Sequence, residues 1–221
     1  MINPTVKIFD KEWKKYDAWY DHNPAVFQSE SQAISKVIPV GYGLEIGVGT
    51  GRFSSFFHLP FGIDPAFSAL RLCKKRGISA AQAVGEELPF KDRCFHFVLI
   101  VAALCFVDDP MLVLTETHRV LKDEGTLILA VLNRSSPWGR SLQQRAHQSL
   151  FMRTARFYES KEILGFLNDS NFRVATTVQT LFLTPAEVKE PEEPQKGIER
   201  GGFVVFEAIK ESRKQQMDGY T

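Results

Sequence analysis

The spacing of hydrophobic residues along this chain changes at about residue 40. Before that point, aromatic and aliphatic side chains recur at roughly helical intervals from Phe9 to Val37, and Asn23-Pro24 interrupts them. This pattern predicts two helices that meet at the proline. After residue 40, short apolar runs predict strands at 43–46, 61–63, 79–83, 95–101, 126–132, 172–183 and 202–209.

Helical segments separate most of these strands. We predict them at 52–57, 66–76 and 110–121, with a further helix that starts at Ser160. Strands that are apolar along their whole length and alternate with helices indicate a parallel sheet with both faces buried. The last two strands are joined instead by a long acidic loop, 184–201, that contains three prolines.

Composition narrows the classes of function. The 221 residues suffice for one well-buried α/β domain. Lys plus Arg (27) nearly balances Asp plus Glu (26), which disfavours general binding to nucleic acid. The longest apolar run, 97–107, is too short to cross a bilayer, and the N-terminus lacks a signal-peptide pattern. We therefore expect a soluble, cytoplasmic protein with neither a membrane nor a nucleic-acid partner.

Cysteine and histidine spacing argues against a metal centre. The three cysteines show no CxxC or CxxH pattern, and the five histidines lack the spacing that aims two imidazoles at one ion. We expect reduced thiols and no metal site.

A glycine-rich loop, with Gly47, Gly49 and Gly51, lies between the first predicted strand and its helix. Glycines there let the backbone approach a ligand at the positive end of a helix. A dinucleotide loop needs a small residue where this chain has Arg52. Glu45 would repel a pyrophosphate but attract the ammonium group of an amino acid. The loop therefore suits a zwitterionic ligand better than a phosphate.

The segment 45–53, E-I-G-V-G-T-G-R-F, resembles motif I of class I S-adenosylmethionine-dependent methyltransferases. The segment 62–65, G-I-D-P, resembles their next motif, in which an acid at the end of the second strand receives the ribose hydroxyls. Resemblance continues in A-V-G-E-E-L-P-F at 83–90, in 95–110 and in the aromatic segment 16–20. The chain is similar to the type 11 branch, which includes ubiquinone-biosynthesis enzymes.

This resemblance implies the fold and the cofactor. The fold is a Rossmann-like, doubly wound α/β sheet of seven strands, mostly parallel with an antiparallel last strand, plus N-terminal helices. One domain would comprise a helical cap (1–38), a cofactor-binding half (39–132), a substrate-side half (133–210) and a tail (211–221). The cofactor is S-adenosylmethionine. Its implied contacts are Tyr16, Glu45, Gly47, Gly49, Asp64, Pro65, Glu86 and Val101.

Some of these residues have a second interpretation. Asp64 can cap the helix that follows Pro65, Glu86 can be a solvated loop residue, and Tyr16 can simply pack in the core. Val84 stands where many relatives place the Asp that binds the adenine amino group, which leaves that contact to Gly85 or Glu86.

An arginine-rich stretch has two interpretations as well. From Leu127 to Tyr158 the chain has five arginines and no acid. They can form a solvated helix face, with the acidic loop as partner, or a patch that binds an anionic acceptor through guanidinium groups. On the second interpretation Arg140 and Arg156 are the candidate substrate residues.

The sequence thus predicts a methyltransferase that acts on a small-molecule acceptor by in-line displacement. It identifies no general base and no oligomeric state. A nicotinamide-dependent oxidoreductase and a non-catalytic cofactor-binding regulatory domain are the alternatives.

Overall fold

The computed structural model describes residues 3–184 and 186–212. Of the predicted tail, only residues 211 and 212 lie within this part. Seven α-helices are found there: α1 Pro4–His22, α2 Pro24–Ser35, α3 Arg52–Phe56, α4 Phe67–Lys75, α5 Pro110–Val120, α6 Pro137–Arg145 and α7 Ser160–Asp169. The strands are β1 Gly43–Ile46, β2 Phe61–Asp64, β3 Ser79–Gln82, β4 Phe95–Val101, β5 Leu121–Leu132, β6 Phe172–Thr180, β7 Gln195–Lys196 and β8 Phe203–Lys210.

All described strands belong to one sheet, in the order β3-β2-β1-β4-β5-β8-β6-β7. The strands β1 to β5 pair in parallel, whereas β8 runs antiparallel to both β5 and β6. The predicted Rossmann-like class and the antiparallel last strand are confirmed. The sheet has eight strands rather than seven, because the two exposed residues of β7 add to its edge beside β6. Two exposed polar residues carry no apolar periodicity, so the sequence pattern did not reveal them.

Both faces of the sheet are buried. Along β4, Val98 and Ile100 belong to one apolar cluster, and Leu99 and Val101 belong to another on the opposite face. Side chains alternate across a strand, so a continuous apolar run is needed where both faces are covered. Helices α1, α2 and α3 contribute to the second cluster.

Several helix ends follow from local capping. Asn3, Asp109 and Ser136 each accept a backbone hydrogen bond at the start of a helix, and each is followed by proline. Proline suits this position because the first N–H groups of a helix have no internal acceptor. Helix α7 is instead capped reciprocally by Glu159 and Glu162. Its cap therefore precedes the predicted start at Ser160.

Two strand boundaries differ from the prediction. Strand β6 ends at Thr180 because Leu181 has a φ of 59°, which is outside the extended region. Strand β5 begins at Leu121, directly after α5, although 123–125 resembles a turn. Within the described ranges, every helix is too short or too polar to span a bilayer.

Candidate functional site

The glycine loop after β1 is tightly packed. Gly47, Gly49 and Gly51 have φ values of 76°, 51° and 82°, a region that favours glycine. A Cβ on Gly47 would lie 2.5 Å from the Cβ of Ala103, and one on Gly51 would lie 2.6 Å from Ile78 Cδ1. The loop therefore requires glycine for both conformation and space.

The backbone donors of this loop already have acceptors within the protein. The N–H groups of Gly47 and Val48 both donate to the Ile63 carbonyl, at 2.9 Å each. The N–H of Gly49 donates to Asp64 Oδ2 at 2.9 Å. A loop that cradles pyrophosphate needs such donors to point at the ligand. This geometry favours a ligand other than a dinucleotide phosphate.

A cavity opens at the carboxyl ends of β1, β2 and β4, where α/β sheets of this type bind ligands. Helix α1 covers it with residues from its first four turns. Every predicted cofactor residue except Glu45 lines this cavity: Tyr16, Gly47, Gly49, Asp64, Pro65, Glu86 and Val101.

Asp64 connects the glycine loop to the following helix. Its carboxylate accepts from the Gly49 N–H and, at 2.7 Å, from the N–H of Ala66, the residue that caps α4. Burial raises the pKa of Asp64 to about 6, although these hydrogen bonds oppose the rise. Asp64 lines the cavity, but it does not cap α4: its carboxylate binds the N–H of the residue before the helix, and Asp10 accepts from the Ser68 N–H of the first turn.

Glu45 lies beneath the loop and does not line the cavity. It is 2% exposed, and its carboxyl group accepts a hydrogen bond from Ser54 Oγ in α3. Burial raises the pKa of Glu45 to about 8. The neighbouring Ile46 does line the cavity, as expected where successive side chains alternate across a strand.

Glu86 has defined backbone partners. Its Oε1 accepts from the N–H groups of Asp108 and Asp109, at 2.9 and 3.3 Å. These two residues lead into α5, so Glu86 joins the loop after β3 to the start of that helix. Val84, beside it, lines the cavity and is exposed.

Helix α1 is attached to the glycine loop by Asp17. The Asp17 carboxylate accepts from Thr50 Oγ1 at 2.6 Å, from Arg52 Nε at 2.9 Å and from Arg76 Nη1 at 3.0 Å. Arg76 also donates to the Thr50 carbonyl. Burial would raise the pKa of Asp17, but the bonds from Arg76, Thr50 and Arg52 outweigh it and hold the pKa below its ordinary value.

The first half of α1 has separate attachments. Asn3 donates to Asp108 Oδ1 at 2.8 Å, and Asp10 accepts from the Ser68 N–H at 2.6 Å. Between these and Asp17, Glu12 departs from helical geometry. Sequence reasoning missed Asp10, Asp17 and Arg76, because their partners lie far away along the chain.

Aromatic side chains surround Tyr16 beside the cavity. The Tyr16 ring centroid lies 5.3 Å from that of Phe9, 5.8 Å from Tyr20 and 5.6 Å from Phe151. Burial is the main cause that raises the pKa of Tyr16. Tyr16 therefore packs among aromatic side chains and also lines the cavity.

The arginine-rich stretch does not converge on the cavity. Arg140 is exposed and donates to the Ser135 carbonyl, and exposed Arg156 donates to the Asp108 carbonyl at 3.1 Å. Arg134 pairs with Glu159 and Glu162 of α7. Within the described chain, no arginine of this stretch lines the cavity.

Among the described residues of the acidic loop, none pairs with those arginines. Glu192 accepts from the N–H groups of Phe182 and Leu183, and Glu193 pairs with Lys36.

Comparison with known proteins identifies the family. Residues 44–129 match the family described as "Methyltransferase domain". The chain is 38% identical over 205 residues to an uncharacterized protein of Methanocaldococcus jannaschii, covering 93% of this chain and all of that protein. An uncharacterized protein of Mycobacterium tuberculosis is 39% identical, with 97% of this chain and 78% of that protein covered.

A solved structure from Thermotoga maritima is similar over nearly its whole length. It has a TM-score of 0.90 and 36% identity, and it covers 93% of this chain and 99% of the Thermotoga chain. That protein is described as an S-adenosylmethionine-dependent methyltransferase, possible histamine N-methyltransferase. This chain belongs to the S-adenosylmethionine-dependent methyltransferases. The methyltransferase uses S-adenosylmethionine as its cofactor, as predicted, and this excludes the nicotinamide alternative. Its assignment to the ubiquinone-biosynthesis branch stays a prediction.

Proposed function

We propose that this methyltransferase methylates a small, neutral or cationic molecule that carries an amine. The observation that carries the proposal is the charge of the cavity wall. The charged side chains of the described residues that line it are Asp64, Glu86 and Asp108, and all three are acidic. An acidic wall attracts a cation and disfavours an anion. Asp64 and Glu86 contact the cofactor in the assignment below, so Asp108 is the acid that faces the acceptor.

The aromatic rings that pack beside the cavity indicate the size of the acceptor. Phe9 and Phe106 line the cavity, and their ring centroids are 5.0 Å apart. Phe9 also lies 5.1 Å from Phe151, a residue of the segment after α6. Packed rings beside the site favour a small acceptor and exclude water from the reacting atoms.

We assign the cofactor contacts as follows. Asp64 receives the ribose hydroxyls, since a carboxylate accepts from two hydroxyl donors. Gly47 and Gly49 allow the amino-acid portion of the cofactor to approach the backbone closely. Glu86, Pro65 and Val101 lie along the rest of the cofactor. Glu45 acts through the loop above it, because it does not line the cavity. The bound cofactor supplies an electrophilic methyl group on a sulfonium, and the protein aligns the acceptor with the methyl–sulfur bond.

The fit of the site to this cofactor has independent support. The loop donors that a pyrophosphate would need are already bonded to Ile63 and Asp64. The acidic wall also matches the positive charge of a sulfonium.

The anionic acceptor that Arg140 and Arg156 suggested gains no support from this geometry. Arg156 donates to the backbone carbonyl of Asp108 at the cavity border, and the guanidinium of Arg140 is bonded to Ser135. Their role as substrate residues is therefore the weaker of the two hypotheses.

Methyl transfer from labelled S-adenosylmethionine tests the proposal. Histamine is the first acceptor, because of the description of the Thermotoga relative, and succinate serves as an anionic control. We expect label in the amine and none in succinate. Label in succinate alone, or no label in histamine from a protein that binds S-adenosylhomocysteine, contradicts the amine acceptor.

A further inference from the structure

A buried acid close to the site lacks a full set of hydrogen-bond partners. Glu30 of α2 is 4% exposed, and its Oε2 has no hydrogen-bond partner in the described part of the chain. Buried polar atoms in proteins are nearly always bonded, so an exception calls for an explanation. Neither the fold nor the cofactor contacts require an acid here.

Two tyrosines connect Glu30 to the cavity. The Tyr20 hydroxyl interacts with the Glu30 carboxyl group, whose pKa it lowers, and with the Tyr16 hydroxyl. The two rings pack edge to face at 5.8 Å between centroids. They share one face of α1 because they are four residues apart. Tyr16 lines the cavity, so the chain of polar groups runs from the cavity wall to the buried acid.

In this series of three polar side chains, the two tyrosines are suited to passing a proton on, and Glu30 is suited to keeping it. Burial raises the pKa of both tyrosines, and the nearby acid Glu30 adds to the rise. Glu45 of β1 and Cys105 also face Tyr16 and act in the same direction. A lasting tyrosinate is therefore disfavoured. Burial raises the pKa of Glu30 to about 8, opposed by the bond from Tyr20, which places it close to neutral pH.

We propose that Glu30 is the final proton acceptor of methyl transfer, and that Tyr16 and Tyr20 carry the proton to it. This rests on the proposed function, because the acceptor must bear an N–H. The acceptor nitrogen forms a bond to the methyl carbon, and the carbon–sulfur bond breaks with its electron pair left on sulfur. The nitrogen gives a proton to Tyr16, Tyr16 gives its own to Tyr20, and Tyr20 gives its own to ionised Glu30. The positive charge of the sulfonium and the negative charge of Glu30 disappear together.

In this scheme Tyr16 touches the acceptor, whereas Tyr20 and Glu30 act through it. Sequence reasoning identified no base. A glutamate in the middle of a helix resembles any solvated helix residue, and only burial against α1 sets it apart.

The first test follows the protonation of Glu30 without any acceptor. The full-length protein, with labelled glutamate and bound S-adenosylhomocysteine, is titrated while the protonated-carboxyl band is recorded by infrared spectroscopy. Because burial also raises the pKa of Glu45 to about 8, we assign to Glu30 the part of the band near pH 8 that Glu30→Gln loses and Glu45→Gln keeps. Tyr20→Phe should move the titration to higher pH, because the lost bond stabilised the ionised acid. Absence of a titrating Glu30 band overturns the relay and leaves the methyltransferase assignment intact.

The second test measures turnover with histamine. Glu30→Gln should lower kcat by about 100-fold, abolish the decline of rate toward acid pH, and leave the KM for S-adenosylmethionine unchanged. Tyr20→Phe keeps Glu30 but removes the hydroxyl between it and Tyr16. It should therefore lower kcat while the infrared band of protonated Glu30 remains. A folding defect would change both. Glu193→Gln, an exposed glutamate paired with Lys36, is the matched control and should behave as wild type.

Two outcomes of the second test contradict the relay. A wild-type kcat and pH profile in Glu30→Gln overturns it directly. A wild-type protein that binds S-adenosylhomocysteine but does not methylate histamine overturns the amine acceptor and this relay together. In that case the infrared titration still shows whether Glu30 titrates near neutral pH. Failure of the amine acceptor can therefore be told apart from failure of Glu30 as a proton acceptor.

Discussion

Asp17 and Arg52 form an ion pair, with 2.9 Å between Asp17 Oδ1 and Arg52 Nε, that joins the helix over the cavity to the end of the glycine loop. Arg52 occupies the position at which a dinucleotide-binding loop requires a small residue. In this protein the long Arg52 side chain extends from the start of α3 to Asp17 of α1. The helix that covers the cavity and the loop that forms its floor are thereby joined by a partly buried contact.

Replacing Asp17 should loosen this attachment. We expect Asp17→Ala to lower the free energy of unfolding by about 3 kcal/mol, since it leaves Arg52 and Arg76 without their shared partner. Affinity for S-adenosylhomocysteine should fall as well, because α1 supplies part of the cavity wall. Urea denaturation and calorimetry measure the two effects. Asp21→Ala is the control: Asp21 also pairs with Arg52 but its side chain is 64% exposed, so its effect should stay below about 1 kcal/mol.

The acid stability of the protein should depend on Asp17. Its pKa in the folded protein is lower than the unfolded value of 3.8. The ionised form is therefore stabilised by folding, and its contribution is full above pH 3.8 and lost as the pH falls through the folded pKa. We expect the stability difference between the wild type and Asp17→Asn to be largest near pH 7 and to shrink below about pH 3.8. A difference that is constant from pH 7 to strongly acid solution would show that the charge is irrelevant.

Asp64 should make cofactor binding depend on pH. Because its pKa is raised to about 6, protonation below that pH removes the carboxylate that receives the ribose hydroxyls. Affinity for S-adenosylhomocysteine should therefore fall as the pH drops through 6, and Asp64→Asn should lack this dependence. Asp64→Ala should weaken binding by about 1.5 to 3 kcal/mol. Unchanged affinity in a folded Asp64→Ala protein would restrict Asp64 to holding the backbone of Gly49 and Ala66.

Two glycine substitutions separate a requirement of the site from ordinary helix propensity. Gly47→Ala places a Cβ 2.5 Å from Ala103 at a φ of 76°, so it should destabilise the protein by about 1 to 3 kcal/mol and weaken cofactor binding. Gly165→Ala in α7 has no heavy atom within 4 Å of the new Cβ. It should instead stabilise the protein by about 0.5 to 1 kcal/mol. Thermal denaturation compares the two, and destabilisation of equal size would contradict the prediction.

The structure brings together at one cavity those predicted site residues that belong to neighbouring elements of the chain. Gly47, Gly49 and Asp64 lie at strand ends of a recognisable βαβ unit, and the carboxyl ends of parallel strands meet at one edge. Glu45 shows the limit of this reasoning. Its position in the motif is clear, but which way its side chain points depends on the pleat of β1 and on Ser54.

The sequence by itself determined the alternation of strands and helices, the parallel direction of the first strands and the position of the glycine loop. Each of these depends on local periodicity, on turn residues or on the handedness of βαβ connections. Only the tertiary structure decided which charged groups meet. Asp17 pairs with Arg76, Glu30 interacts with Tyr20, and Arg140 donates to the Ser135 carbonyl. These contacts depend on how α1 and α2 pack on the sheet. Packing brings together residues that are far apart in the sequence, and their spacing along the chain does not predict that they meet.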